Sequence, residues 1–144
     1  MFQLDDCVAY IINKSAKQLS ARLEKKLMRY NVTRIQWTAM YYVENNQCLT
    51  QKCLADKMSL KEPTVARLLD RMEADGLIER EFCTKDKRAK TLKLTKKGQY
   101  LNKKLTDIAE TFKDDAIKGI KKEDLITFKK VVEQMLINTT DQEA

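Results

Sequence analysis

Apolar residues near the start of the chain recur at three- and four-residue steps: Leu4, Val8, Ile11, Ile12, Leu19, Leu23 and Leu27, with Lys14, Lys17, Arg22 and Lys25 elsewhere. That period predicts one long amphipathic helix over Leu4–Met28, broken at Asn31-Val32. Thr33 followed three residues on by Gln36 has the form of a capping box, opening a second helix through Trp37, Met40 and Tyr41 to about Glu44. Asn45-Asn46-Gln47 ends it. Thr50 is the next cap, with Leu49 and Leu54 placed as a hydrophobic staple, and a short helix runs Gln51–Met58. Pro63 suits the first turn of a fourth helix. Its core face is Val65, Leu68, Leu69 and Met72, its other face carries Lys61, Thr64, Arg67 and Arg71, and it ends at the turn Asp75-Gly76.

The period then changes. Leu77, Ile78 and Phe82 on one side and Thr91, Leu92 and Leu94 on the other read as two short strands, joined by a stretch, Thr84–Ala89, too charged to be buried. Thr95 caps a helix in which Leu101, Leu105, Ile108 and Phe112 form a seam. Running to about Lys118, it spans about 36 Å at the α-helical rise. Gly119 interrupts it, Glu123–Ile137 gives a last helix with Leu125, Phe128, Val131, Val132, Met135 and Leu136 facing inward, and a polar tail follows. The predicted fold is mainly α, with a small β component (α+β). A winged helix-turn-helix lobe over 33–95 carries a two-stranded β-wing. Long helices at 1–30 and 96–138 bear apolar stripes that one small lobe cannot cover, and a second copy of the chain is the economical cover.

Composition narrows the function. At 144 residues one domain is expected, and 3 Gly with 1 Pro fit a mainly helical chain. No histidine is present, which removes the commonest general base and metal ligand. The 4 cysteines, Cys7, Cys48, Cys53 and Cys83, have no C-x-x-C spacing, so neither a structural metal nor a cofactor is expected. No glycine-rich phosphate loop or cluster of carboxylates suggests an enzyme. No signal region or membrane-length apolar run is found, so the expected location is the cytoplasm, with no membrane partner.

Charge supplies the positive signal. The chain carries 28 Lys and Arg against 21 Asp and Glu, a net +7. From Lys85 to Lys97 the basic residues Lys85, Lys87, Arg88, Lys90, Lys93, Lys96 and Lys97 face one acid, Asp86, a field suited to phosphates and so to double-stranded DNA. Short helix, tight turn, second helix and hairpin is the order of a winged helix-turn-helix, whose second helix enters the major groove. Thr64 can bond a phosphate or base edge, Arg67 can reach either, and Arg71 sits a turn further along, nearer the backbone. Arg88 suits a narrow minor groove, and Asp86 would brace it or accept amide hydrogen bonds. The plainer reading of each residue is a solvated surface. A winged-helix module that binds protein, with its basicity incidental, is the rival for the whole.

Three stretches resemble the MarR family of bacterial transcriptional regulators: the run Pro63–Glu73, the exit Gly76-Leu77-Ile78-Glu79-Arg80, and the wing Asp86–Gly98 with its D-x-R and L-x-L-T-x-x-G patterns. Helix order and length match as well, so 1–144 resembles a single MarR-like domain. The resemblance implies a homodimer, built through 1–30 and 96–138, that binds a pseudo-palindromic operator, more often as a repressor. The DNA-contacting set it suggests is Thr50, Gln51, Lys61, Thr64, Arg67, Arg71, Lys85, Asp86, Lys87, Arg88 and Lys90. It also implies a switch. Many such regulators release DNA when a small aromatic or lipophilic effector enters between the dimer helices and the lobe, for which Tyr10, Trp37 and Tyr41, with Tyr42 beside them, are candidates. The plainer reading of those aromatics is that they fill core and interface. Others respond to thiol oxidation, for which Cys7 is first in line and Cys83 second.

Overall fold

Local capping chemistry sets several of the element boundaries. In the computed structural model, which describes residues 1–82 and 90–141, α1 spans Val8–Leu27, α2 Arg34–Asn45, α3 Gln51–Met58 and α4 Glu62–Ala74. Strands β1 (Ile78–Phe82) and β2 (Lys90–Leu94) follow, then α5 (Lys96–Ile117) and α6 (Lys122–Asn138). Thr33 Oγ1 accepts from the Gln36 amide at 3.1 Å while Gln36 Oε1 accepts from the Thr33 amide at 3.0 Å, a reciprocal capping box that starts α2. Thr50 Oγ1 accepts from the Cys53 amide at 3.1 Å and starts α3. At the end of α4, Gly76 takes φ +74, and the amides of Gly76 and Leu77 return to the carbonyls of Glu73 and Met72, a Schellman closure.

The first helix differs from the expectation of one run from Leu4. Leu4–Asp6 form a separate 3₁₀ turn, and α1 starts only at Val8, because Cys7 is extended with ψ 115. The apolar stripe crosses this break without a change of period, so it carries no trace of it.

Antiparallel pairing of β1 and β2 sets Ile78 opposite Leu94, Arg80 opposite Leu92 and Phe82 opposite Lys90. A third segment joins this hairpin. Thr50 bridges Thr91, and the Leu92 amide donates to the Leu49 carbonyl at 3.0 Å, so the α2–α3 connection is stitched to the wing base. The hydrophobic core gathers Leu27, Val32, Met40, Leu54, Val65, Leu69, Met72, Ile78, Leu92 and Leu105, all within the unit Met1–Thr111. Thr95 fixes the start of α5 in this core. Its hydroxyl accepts from the Gly98 amide at 3.0 Å and donates to the Gly76 carbonyl at 2.5 Å. A Cβ on Gly98 would overlap the Leu77 carbonyl oxygen, so only glycine lets α5 approach the β1 entry so closely.

The unit that begins at Phe112 holds the end of α5 and all of α6. Of the residues expected to face inward, Leu125, Val132 and Met135 are half-buried, whereas Phe128, Val131 and Leu136 are exposed. No residue of α6 is buried, and Phe128 and Leu136 are 56% and 65% exposed. The period identifies an apolar face without supplying its cover. On α1 the case is similar. Only Leu27 is buried, and Val8, Ile11 and Leu19 stay exposed.

Candidate nucleic-acid interface

Thr64, Arg67 and Arg71 fall on one side of α4, all three exposed, while Val65, Leu69 and Met72 on the opposite side are buried. The division follows from helical spacing: 64, 67 and 71 lie three and four residues apart, offset from the core positions. Lys61 is the exposed N-cap residue of α4, immediately ahead of its first turn. Thr50 and Gln51 are half-buried at the start of α3. Lys90 opens β2, with its ammonium 5.9 Å above the centroid of the exposed Phe82 ring. Lys85, Asp86, Lys87, Arg88 and Cys83 lie outside the described residues.

Arg80, at the centre of β1, was not singled out as a site residue by the sequence. Its guanidinium donates to Glu73 Oε2 at 2.6 Å and Asp70 Oδ1 at 2.9 Å, and reaches Gln51 Oε1 at 3.5 Å. The Asp70/Glu73 spacing on one helix face was a legible signal. The residue that answers it depends on how the hairpin docks.

Between α1 and α4 runs an open groove of about 660 Å³, within the range of small-ligand sites. Ala21 and Glu24 of α1, Arg34 and Ile35 of α2, and Thr64, Leu68 and Arg71 of α4 line it. Glu24 also ties α1 to α2, its Oε2 accepting from the Arg34 amide at 2.6 Å. The groove therefore presents apolar walls with guanidinium groups at Arg34, Arg67 and Arg71 and one carboxylate at Glu24.

None of the proposed effector aromatics lines this groove. Trp37 donates from Nε1 to Thr106 Oγ1 at 3.1 Å, pinning α2 to α5, and its ring centroid lies 6.2 Å from that of Tyr41. Tyr41 is exposed beside a smaller cleft with Asn102 and Thr106, Tyr42 stacks edge-on against Tyr41, and Tyr10 is half-buried on α1. Cys7 is half-buried as the N-cap residue of α1. Among the described residues no three His, Cys, Asp or Glu side chains converge as metal ligands, and no helix is long and apolar enough to cross a membrane.

The fold has counterparts among solved structures. Residues 32–90 match the MarR family model. A crystal structure of MepR from S. aureus in complex with DNA superposes with a TM-score of 0.87 at 22% identity, covering 96% of this chain and 100% of that one. CouR from Rhodococcus jostii, bound to p-coumaroyl-CoA, superposes with a TM-score of 0.85 at 16% identity over 99% of this chain and 100% of that one. The transcription regulator MarR from Oenococcus oeni is 29% identical, with a TM-score of 0.79 over 90% of this chain and 98% of that one.

Proposed function

We propose that this chain, whose residues 32–90 match the MarR family model and whose fold matches those of solved MarR-type regulators, is a DNA-binding transcriptional regulator that acts as a homodimer on a pseudo-palindromic operator. The observation that carries the reading is the exposed Thr64/Arg67/Arg71 face of α4, opposite a fully buried core face and on the helix that leads into the β1–β2 hairpin. Thr64 and Arg67 are assigned to base edges or phosphates and Arg71 to the backbone, with Lys61, Thr50, Gln51 and Lys90 as flanking contacts. From the sequence between β1 and β2, Arg88 is assigned to the minor groove, Asp86 to bracing it, and Lys85 and Lys87 to phosphates.

The uncovered apolar residues of α1 and α6 support pairing with a second copy through 1–30 and 96–138. A two-fold pair would set its recognition helices about 34 Å apart, one turn of DNA. Effector release is assigned to the α1–α4 groove. Its apolar walls and guanidinium groups suit an aromatic or lipophilic acid, and it shares Thr64, Arg67 and Arg71 with the reading helix, so ligand and DNA compete for the same side chains. Repression is the direction of control that fits this competition.

The test is selection of bound duplexes from a random pool by the purified protein, followed by titration of the winner at 50 and 200 mM salt with and without a salicylate-like acid. A palindromic winner, affinity falling steeply with salt, and release by the acid are expected. No binding to any duplex at 50 mM salt would refute the reading, and binding with a shallow salt dependence would favour the protein-interaction alternative.

A further inference from the structure

Helix α4 is an unusual element to present to a polyanion, because it carries Glu62, Asp70 and Glu73 against only Arg67 and Arg71. Two of those three carboxylates are engaged by one side chain from another element. Arg80 approaches from β1, opposite Leu92 in the hairpin, and spreads its fork over Glu73 at 2.6 Å and Asp70 at 2.9 Å. The same Nη2 that meets Asp70 reaches Gln51 of α3 at 3.5 Å. The Arg80 side chain is 23% exposed, whereas those of Asp70 and Glu73 are 72% and 47% exposed. The guanidinium is thus the enclosed centre of the cluster, with the carboxylates on its outer side.

We infer that Arg80 is a positioning residue for DNA recognition, which locks the reading helix α4 to the wing strand β1 and the helix α3 through Asp70, Glu73 and Gln51. The inference rests on the DNA-binding function proposed above and deepens it. A guanidinium is suited to the task because its planar fork addresses two carboxylates at once with fixed geometry, which a lysine ammonium on a flexible stem does not. Asp70 and Glu73 lie three residues apart on one helix face, so bonding both sets the rotation of α4 about its axis as well as its distance from β1. Rotation decides which side chains of α4 meet base edges. The tether therefore acts on sequence discrimination, through residues that Arg80 itself does not replace.

Two variants cut the same tether while changing charge in opposite directions. Arg80→Gln removes one positive charge, and the double variant Asp70→Asn/Glu73→Gln removes two negative ones. Sequence-independent attraction shifts specific and non-specific binding together, so the ratio of affinities for the selected duplex and a scrambled duplex of equal composition isolates positioning from charge. Both variants are expected to lower that ratio about tenfold, while non-specific affinity falls in the first and rises in the second. A ratio unchanged in either variant, or moved in opposite directions by the two, would overturn the inference and leave Arg80 as a simple surface charge. Should Arg80→Gln fail to fold, the double variant, altered only at exposed carboxylates, decides alone. Failure of the wild-type protein to prefer any duplex would be a failure of the DNA-binding reading instead.

Discussion

Replacing Gly98 with alanine sets helix propensity against packing, and the two predict opposite signs. Gly98 lies in the first turn of α5, where exchange of glycine for alanine should favour a helix by about 1 kcal/mol. In this fold the new Cβ would overlap the Leu77 carbonyl oxygen, a backbone atom that cannot swing aside like a side chain. That carbonyl accepts from the Thr95 amide at 3.1 Å, so its retreat weakens a hydrogen bond worth about 1 kcal/mol. Overpacking of a well-filled site adds about 1–3 kcal/mol. The losses exceed the propensity gain by about 1–3 kcal/mol, which for a chain of this size lowers the melting midpoint by roughly 3–10 °C. Thermal unfolding of wild type and Gly98→Ala, followed by circular dichroism and calorimetry, measures it. An unchanged or higher midpoint would refute the packing argument, because it would mean that the α5 start and the β1 entry separate without cost.

Thr33→Ala removes one side of the α2 capping box and should cost about 1 kcal/mol, read as a midpoint lower by roughly 2–4 °C. Arg71→Ala should weaken all duplexes about equally and reduce the salt slope by about 1, whereas Arg88→Ala should also relax preference for an A·T-rich flank; equal loss on every sequence for both would remove the assigned division of labour. The Lys104 ammonium donates to the Tyr100 hydroxyl at 3.0 Å, and that bond, with the charges of Tyr100 and Tyr30 on ionisation, holds it above the ordinary lysine value. A raised folded value means that its contribution to stability is complete at neutral pH and is lost only as pH climbs through that value. Tyr100→Phe should bring the Lys104 titration back down, observable by NMR of the side-chain Cε and Nζ.

What the sequence disclosed and what it hid divide along the range of the interactions. Thr33 with Gln36, Thr50, and the break at Gly119 with its φ of +80 are local devices, written within four residues of the backbone groups they serve. Thr95 was legible as a cap for the same reason, although its second bond, to Gly76, was not. Pairing of Thr50 with Thr91 depends on chain segments 41 residues apart meeting at one isolated bridge, too short to leave a period. Trp37 shows the same limit: an aromatic at core spacing gave no sign that its indole would be satisfied by Thr106 of α5. The break at Cys7 was hidden because an apolar stripe records faces and not backbone continuity. For the candidate interface, the helical spacing of Thr64, Arg67 and Arg71 foretold their shared side, while the groove they border needed α1 in place.

That α4 offers one face both to the groove and to the proposed DNA surface constrains how such a protein can diverge. Substitution at Thr64, Arg67 or Arg71 that adapts the groove to a new acid also rewrites what the helix reads, so ligand and operator preferences would drift together. Ala21, Ile35 and Leu68 border the same groove with apolar side chains that hold no hydrogen-bonding group for a base edge. Descendants that change effector while keeping their operator should therefore carry their differences at those three positions.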